Sequence, residues 1–192
     1  MRLLVVTQCT ARKKHHLCPA ERMYVGEHHL RLMRGVVAAR TAGHEVAVWI
    51  VSAKHGFLAG DDVIGPYDES FGTVSVAARR AAYKRLRLGD AADMLFHGGY
   101  DVALTALGRD YAEGLNMRGR KYAAPAVHLT ADPWGLFKPN YVEVPADQEK
   151  TRLFGCGNVA LKGEMAGRML ERGVFNDYGA LQGLRHDLSQ LL

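Results

Sequence analysis

Reactive side chains follow directly after a short apolar run in the first third of the chain. The run, Val46–Val51, is rich in β-branched residues, as expected for a strand that is covered on both faces. A hydroxyl, an ammonium and an imidazole come next, on Ser52, Lys54 and His55, and the segment closes with Pro66-Tyr67-Asp68. Because ligands of open α/β sheets bind at the carboxyl ends of strands, this segment is predicted to form part of a binding site.

The residue types in this segment suit proton transfer and the stabilisation of charge. Lys54 and His55 can contact an anion or donate a proton, since an imidazole titrates near neutral pH. Asp68 can position a water or stabilise positive charge that develops on a sugar, and the alternative is that it only forms a turn after Pro66. Tyr67 is predicted either to stack on a base or to be a half-buried core residue.

Two further loops carry comparable chemistry after other apolar runs. Cys9 follows the first run and has Arg12 and Lys13 close by, and positive charge favours the nucleophilic thiolate; the alternative is a small residue that packs at a strand end. Gly108-Arg109-Asp110-Tyr111 follows the run Asp101–Ala106. In it Asp110 is a second candidate carboxylate, and Tyr111 is again either a stacking or a core residue.

A metal site is not expected from the cysteine and histidine pattern. Cys9, His15, His16 and Cys18 lie close in the sequence, but their spacing matches no common zinc pattern. We therefore predict a protein without a metal and without a cofactor.

Strand and helix signals alternate along the chain, which predicts one three-layer α/β/α domain over residues 1–192 around a largely parallel sheet. Strands are predicted at Arg2–Thr7, Val46–Val51, Asp101–Ala106 and Ala126–Leu129. Helices are predicted at Ala20–Ala42, Val74–Phe96, a short segment ending at Asn116, Val159–Arg172 and Tyr178–Leu191. Ala131–Gly157, with three prolines, is predicted to be irregular, as a lid or a surface excursion. In this arrangement the loops after the first three strands converge on one edge of the sheet.

Composition bounds the class of protein. A chain of 192 residues that is 48% hydrophobic can bury one core, and it has no run long enough to cross a bilayer. Three cysteines fit reduced thiols, and we predict a soluble cytoplasmic protein without a membrane partner. The net charge of +5 is compatible with an ordinary surface or with a patch that faces a polyanion. The basic residues cluster at Arg12–Lys14, Arg79–Arg87 and Arg118–Lys121.

Several of these segments resemble the YaaA-like superfamily. The motif Ser-Ala-Lys-[Tyr/His]-Gly-Leu…Pro-Tyr-Asp stands here as Ser52–Leu58 followed by Pro66–Asp68. The motifs Cys-x-x-x-Lys and Pro-Ala-x-x-x-Tyr are matched by Cys9–Lys13 and Pro19–Tyr24, and Asp110-Tyr111 is similar to the pair after the third strand. Ala160-Leu161-Lys162-Gly163 resembles a late Lys-x-x-Arg-Gly helix in which the arginine is missing, and it adds Lys162 to the candidate site.

The resemblance implies a YaaA-like fold and a connection to nucleic acids or nucleobases, since the superfamily includes a DNA-binding stress protein and relatives in deazaguanine modification systems. We therefore predict an enzyme that acts on a nucleobase in a nucleoside, a nucleotide or a nucleic acid. The predicted reaction is cleavage or exchange of an N-glycosidic bond, or modification of a base substituent. The alternative is a non-catalytic DNA-binding stress-response protein, and the modest net charge favours the enzyme.

The candidate residues divide by role, and the oligomeric state is left open. The predicted catalytic residues are Asp68, Lys54, His55, Asp110 and Cys9. The predicted substrate-binding residues are Ser52, Tyr67, Tyr111, Arg12, Lys13, Gly108, Arg109 and Lys162.

Overall fold

The computed structural model describes residues 1–115, 126–130 and 141–192. Its strands are β1 (Arg2–Gln8), β2 (Cys18–Pro19), β3 (Glu45–Ser52), β4 (Gly56–Ala59), β5 (Val63–Ile64), β6 (Val102–Ala106), β7 (Ala126–Thr130) and β8 (Tyr141–Pro145). Its helices are α1 (Ala20–Met23), α2 (Glu27–Thr41), α3 (Val76–Arg85), α4 (Leu88–Phe96), α5 (Arg109–Gly114), α6 (Lys150–Phe154), α7 (Asn158–Arg172) and α8 (Tyr178–Gly183). Short 3-10 turns lie at Phe71–Thr73, Val174–Asn176 and Ser189–Leu191.

The main sheet has six strands in the order β4-β3-β1-β6-β7-β8. All neighbours pair in parallel except β4, which forms an antiparallel hairpin with β3 at one edge. The centre of the sheet is buried on both faces, as the fully apolar run Leu3–Val6 requires. The predicted fold class, a three-layer α/β/α domain around a largely parallel sheet, is confirmed.

Helices α2 and α7 cover one face of the sheet and lie in parallel against each other. Their backbones meet because the contact positions are glycines. A Cβ atom on Gly163 would overlap the carbonyl oxygen of His28, and one on Gly167 would lie 2.5 Å from the carbonyl oxygen of Arg31. Helices α3 and α4, which lie in the connection from β3 to β6, belong to the opposite face.

A buried carboxylate fixes the α2–α7 pair. Glu164 is 3% exposed and receives hydrogen bonds from Arg31 at 2.8 Å and from Arg168 at 2.7 Å, with Arg34 at 3.4 Å. Burial alone would raise the pKa of Glu164, but the hydrogen bonds from Arg31 and Arg168 hold it below its ordinary value. The carboxylate therefore stays ionised inside the helix pair.

Two helices that the sequence predicts as continuous are broken, so these predictions were wrong. The predicted helix Ala20–Ala42 stops at Met23 and starts again at Glu27, because Tyr24 takes an extended backbone and turns its side chain into the core. The predicted helix Val74–Phe96 is divided by Arg87, whose φ of +49° is left-handed. In both cases the period of apolar residues continues across the break, so the pattern does not reveal it.

The C-terminal third also departs from the prediction. Within Ala131–Gly157, residues 131–140 lie outside the described residues, but β8 and α6 occupy much of the remainder, so the prediction of an irregular excursion was wrong there. The predicted helix Tyr178–Leu191 is a short helix, α8, followed by a 3-10 turn. The predicted end of a helix at Asn116 lies outside the described residues, and α5 ends at Gly114.

In the described part of the chain, no helix combines the length and the apolar character that a membrane crossing needs.

The strand order defines where the functional loops meet. Taken in chain order, the five parallel strands follow the 2-1-3-4-5 arrangement of doubly wound sheets, and the direction of winding reverses between β1 and β6. Ligands of such sheets bind outside the carboxyl ends of the strands at this reversal. The residues that follow β1, β3 and β6 are the three loops singled out in the sequence.

Candidate functional site

The hydroxyl group of Tyr67 is the centre of the candidate site. Its oxygen lies 2.8 Å from Oγ of Ser52 and 2.7 Å from the hydroxyl oxygen of Tyr24. Ser52 ends β3, Tyr24 follows α1, and Tyr67 belongs to the loop that follows β5. Three separate segments are therefore joined through one buried hydroxyl group.

The loop after β3 sets the direction of the hydrogen bond between Ser52 and Tyr67. The backbone N–H groups of Lys54 and His55 donate to Oγ of Ser52 over 3.2 and 3.1 Å. A hydroxyl group has one proton and two lone pairs, so Ser52 donates its proton to Tyr67. Tyr67 and Tyr24 share a further hydrogen bond, in which either hydroxyl group can be the donor.

Cations and an imidazole surround the ring of Tyr67. Nζ of Lys13 lies 4.3 Å and Nζ of Lys54 5.7 Å from its centroid, and the ring of His55 meets it edge-on at 5.2 Å. Tyr67 is only 6% exposed, which leaves little ring surface for a base. The geometry indicates that Tyr67 holds the loops and the cations in place and does not stack on a base.

His55 is largely exposed at this edge of the sheet. Partial burial, followed by the positive charge of Lys54, lowers the pKa of His55 below its ordinary value. The imidazole is consequently neutral near pH 7, and in that form it can both donate and accept a hydrogen bond.

Cys9 and Tyr111 lie at the reversal of winding between β1 and β6. The sulfur of Cys9 is 3.2 Å from the hydroxyl oxygen of Tyr111, and the two residues are 4% and 6% exposed. Burial raises the pKa of Tyr111, and its ring packs at 5.0 Å against Phe71. The thiol therefore lies beneath the surface of the site. This placement favours the second of the two predicted roles of Cys9, that of a small residue that packs at a strand end.

The two candidate carboxylates have different surroundings. Asp68 is exposed and directly follows the anchored Tyr67. Asp110 is half-buried, and Arg79, whose side chain is 12% exposed, lies 2.8 Å from it. The hydroxyl group of Tyr83 also donates to the backbone carbonyl of Asp110. Asp110 is thus a partner of helix α3, whereas Asp68 faces solvent beside the site.

Close contacts hold the turn after β6. Gly108 donates its N–H to Oε1 of Gln8, and a Cβ atom at this position would lie 2.9 Å from that oxygen, so a larger residue would have to displace the Gln8 side chain. Nζ of Lys162 donates to the carbonyl oxygen of Leu107 over 2.5 Å. Lys162 therefore reaches the edge of the sheet from α7, while Arg109 is exposed.

Three of the five cations in the basic cluster Arg79–Arg87 contact acidic residues. Arg79 contacts Asp110 and Glu113, and Arg80 lies 3.2 Å from Glu113. Arg87 pairs with Asp90 at 2.9 Å. Arg12, in the first loop, is exposed. Arg118, Arg120 and Lys121, the third basic cluster, lie outside the described residues. No group of three or more metal-ligating side chains is found among the residues that the structure describes.

Sequence reasoning missed Tyr24 and Gln8 as parts of this site. Tyr24 is 1% exposed and completes the hydroxyl cluster, and Gln8 closes the turn at Gly108. The signal for Tyr24 was its place in the Pro-Ala-x-x-x-Tyr motif, which the predicted continuous helix obscured. Gln8 carries no comparable signal, since a polar residue at the end of a strand is common.

Residues 4–132 match a family model whose description is Family of unknown function (DUF6884). This range runs from within β1 to beyond the end of β7, and it contains every candidate residue except Lys162. No curated protein and no solved structure matches the chain.

Proposed function

We propose that this chain, which belongs to the DUF6884 family of unknown function, is an enzyme acting on a nucleobase-containing substrate. The proposed reaction is cleavage or exchange of an N-glycosidic bond. One observation carries the proposal. Asp68 stands between Tyr67, which is anchored through its hydroxyl group at 2.8 and 2.7 Å, and Glu69, which lies 3.8 Å from Nζ of Lys54, so the backbone of Asp68 passes beside the loop that bears Lys54 and His55.

The proposed roles follow from the charges that develop in this reaction. As the bond to the base breaks, the sugar gains positive charge and the base gains negative charge. Asp68 is exposed and would stabilise the sugar or orient the attacking water. Lys54 would offset the charge on the departing base, and the neutral imidazole of His55 would hydrogen-bond it.

Asp110 is a weaker candidate for the catalytic carboxylate. Its Oδ1 atom is already paired with Arg79 at 2.8 Å, so much of its charge is offset. We assign it a positioning role, since it links α3 to the helix α5 that carries Tyr111. Cys9, buried against Tyr111, is likewise given a positioning role rather than that of a nucleophile.

The pairing on α3 gives the DNA-binding alternative less support. Cations that already contact Asp110 and Glu113 must lose these partners before they bind phosphates. The motif resemblance to the YaaA-like superfamily, which stays a prediction, agrees with a nucleobase-directed activity.

Base release is the direct test. The protein is incubated with nucleosides, nucleoside monophosphates and short oligonucleotides, and free bases are separated by chromatography. Asp68→Asn is expected to lower turnover by about 10²–10⁴-fold, the usual contribution of a positioned acid or base. The matched control is Asp61→Asn, an exposed aspartate in the turn between β4 and β5, which should keep full turnover.

Two results would contradict the proposal. Full turnover in Asp68→Asn would remove Asp68 from the mechanism. Absence of base release from every substrate would exclude glycosidic chemistry, and the same samples analysed by mass spectrometry would then test for a changed base substituent.

A further inference from the structure

Two lysine side chains from different loops share one aromatic ring. Nζ of Lys13 lies 4.3 Å and Nζ of Lys54 5.7 Å from the centroid of Tyr67. The face of an aromatic ring attracts cations, and both ammonium groups lie within 6 Å of the centroid of this one ring. A concentration of positive charge at the end of parallel strands is the feature from which the inference starts.

These charges are only weakly compensated by the protein. Lys13 is half-buried, its Nζ reaches the carbonyl oxygen of Ala11 at 3.5 Å, and no carboxylate pairs with it among the residues that the structure describes. Lys54 has Glu69 at 3.8 Å, near the limit for an ion pair, and Glu69 is 53% exposed. Exposed pairs of this length contribute little energy, so an anionic ligand can replace Glu69 at small cost.

The backbones that carry both lysines are held in place. A β-bridge joins Lys13 to Tyr24, and the N–H of Lys14 donates to the carbonyl oxygen of Met23 over 2.9 Å. On the other side, the N–H of Lys54 donates to Oγ of Ser52. Both loops are thus fixed by the same hydroxyl cluster, and a ligand that bound there would meet cations that are already placed.

We propose that Lys13 and Lys54 form a subsite for a phosphate group. Three phosphate oxygens can accept hydrogen bonds from both ammonium groups at once. The proposal rests on the proposed function for the rest of the substrate, and it narrows that substrate to a phosphorylated nucleoside unit rather than a free nucleoside.

The phosphate can come from a nucleotide or from a nucleic-acid backbone, which share this chemistry, and inorganic phosphate serves as the comparison without a nucleoside. Affinities are measured by isothermal titration with inorganic phosphate, a deoxynucleoside 5′-monophosphate, the matching nucleoside and a short oligonucleotide. We expect the monophosphate or the oligonucleotide to bind at least about tenfold tighter than the nucleoside, and whichever of the two binds tighter identifies the source.

The variant Lys13→Met should weaken binding of the monophosphate, or of the oligonucleotide if it binds tighter, about tenfold and leave nucleoside binding unchanged. Lys54→Met should weaken binding of the same phosphorylated ligand about tenfold as well. Lys13→Arg should retain most of the affinity, because it keeps the charge. The matched control is Lys150→Met on α6, which removes the same charge far along the sheet and should change nothing. An unchanged thermal midpoint in each variant shows that folding is intact.

Equal affinity for nucleoside and for both phosphorylated ligands would overturn the subsite, and so would lysine variants that leave the phosphate preference unchanged. Binding of inorganic phosphate alone, with no gain for a nucleotide, would also overturn it. The readouts separate the two proposals. Base release without a phosphate preference refutes the subsite only, whereas lysine-dependent phosphate binding without base release refutes the reaction only.

Discussion

The hydroxyl oxygens of Tyr24 and Tyr67 lie 2.7 Å apart, although 43 residues separate them in the chain. Their rings meet edge-on with centroids 6.5 Å apart, and both residues are buried. Burial raises the pKa of each phenol, so both stay protonated and the hydrogen bond persists over the physiological pH range. This contact ties the segment after α1 to the loop that bears Asp68.

Removal of the central hydroxyl group should be the costlier change within this cluster. Tyr67→Phe leaves the hydroxyl groups of Ser52 and Tyr24 without their shared partner, so we expect a loss of about 1–3 kcal/mol in the free energy of unfolding. Tyr24→Phe should cost less, since Ser52 keeps its acceptor. Urea unfolding measures both, with Tyr100→Phe at a half-exposed position as the control. Equal stability of Tyr67→Phe and the wild type would contradict the assigned hydrogen bonds.

The two neighbouring arginines of α3 should differ sharply in their effect on stability. Arg79 has a side chain that is 12% exposed and contacts both Asp110 and Glu113. Arg79→Met is expected to destabilise by about 1–3 kcal/mol, because the half-buried carboxylate of Asp110 loses its cation. Arg80, 68% exposed, has Glu113 as its one acidic partner within the described part of the chain, and Arg80→Met should cost under about 1 kcal/mol. Thermal unfolding compares the two, and similar midpoints would be evidence against an organising role for Arg79.

A methyl group added between α2 and α7 should separate the two helices. In Gly163→Ala the new Cβ atom would overlap the carbonyl oxygen of His28, which belongs to a backbone that cannot easily move. We expect a loss of at least about 2 kcal/mol, larger than the roughly 1 kcal/mol that alanine gains in helix propensity. Gly183→Ala is the control, because no atom lies within 4 Å of its added methyl group. Calorimetry that found Gly163→Ala as stable as this control would show that the helices adapt.

Stability should fall in mild acid because His28 is buried in its neutral form. Burial, then the nearby charges of His29 and Lys162, lowers the pKa of His28 to about 4 from its ordinary 6.5. Between these values the unfolded chain binds a proton that the folded chain does not, so stability rises with pH across this window. The contribution is complete above about pH 6.5 and is lost as the pH falls to about 4, an effect of roughly 3 kcal/mol.

The variant His28→Gln tests this assignment. Oγ1 of Thr7 lies 3.0 Å from Nε2 of His28, and the amide of a glutamine can still form this hydrogen bond. Unlike the imidazole, the amide does not titrate in this pH range. Urea unfolding at several pH values should give a shallower dependence in the variant. Part of the dependence should remain, because burial also lowers the pKa of His128, to about 3. An unchanged slope would assign the acid sensitivity to other groups.

The parallel core, and with it the edge of the sheet where the three candidate loops lie, could be predicted because they depend on short-range signals. The apolar run Leu3–Val6 and the polar residues that follow each strand are visible in the sequence, and strand–helix alternation determines the rest. The β4 hairpin was missed because Gly56–Ala59 is only four residues long and follows the reactive residues without a change in composition.

The orientation of individual side chains could not be predicted, since it depends on contacts between distant segments. Asp110 looks like a free carboxylate in the sequence, and only the approach of α3 brings Arg79 within 2.8 Å of it. The sequence left Tyr67 as either a stacking or a half-buried core residue, and only the contacts of its hydroxyl group with Tyr24 and Ser52 favour the buried position. In both cases the decisive partner lies more than ten residues away along the chain.

The packing of α7 against α2 shows that the folded domain extends beyond the residues that match the family. The family match ends at residue 132, whereas α7 begins at Asn158 and supplies Glu164 and the cover of one sheet face. A fragment cut at the family boundary would expose that face to water and leave Arg31 and Arg34 without the carboxylate of Glu164. A recombinant form of this chain therefore needs the residues up to at least Arg172.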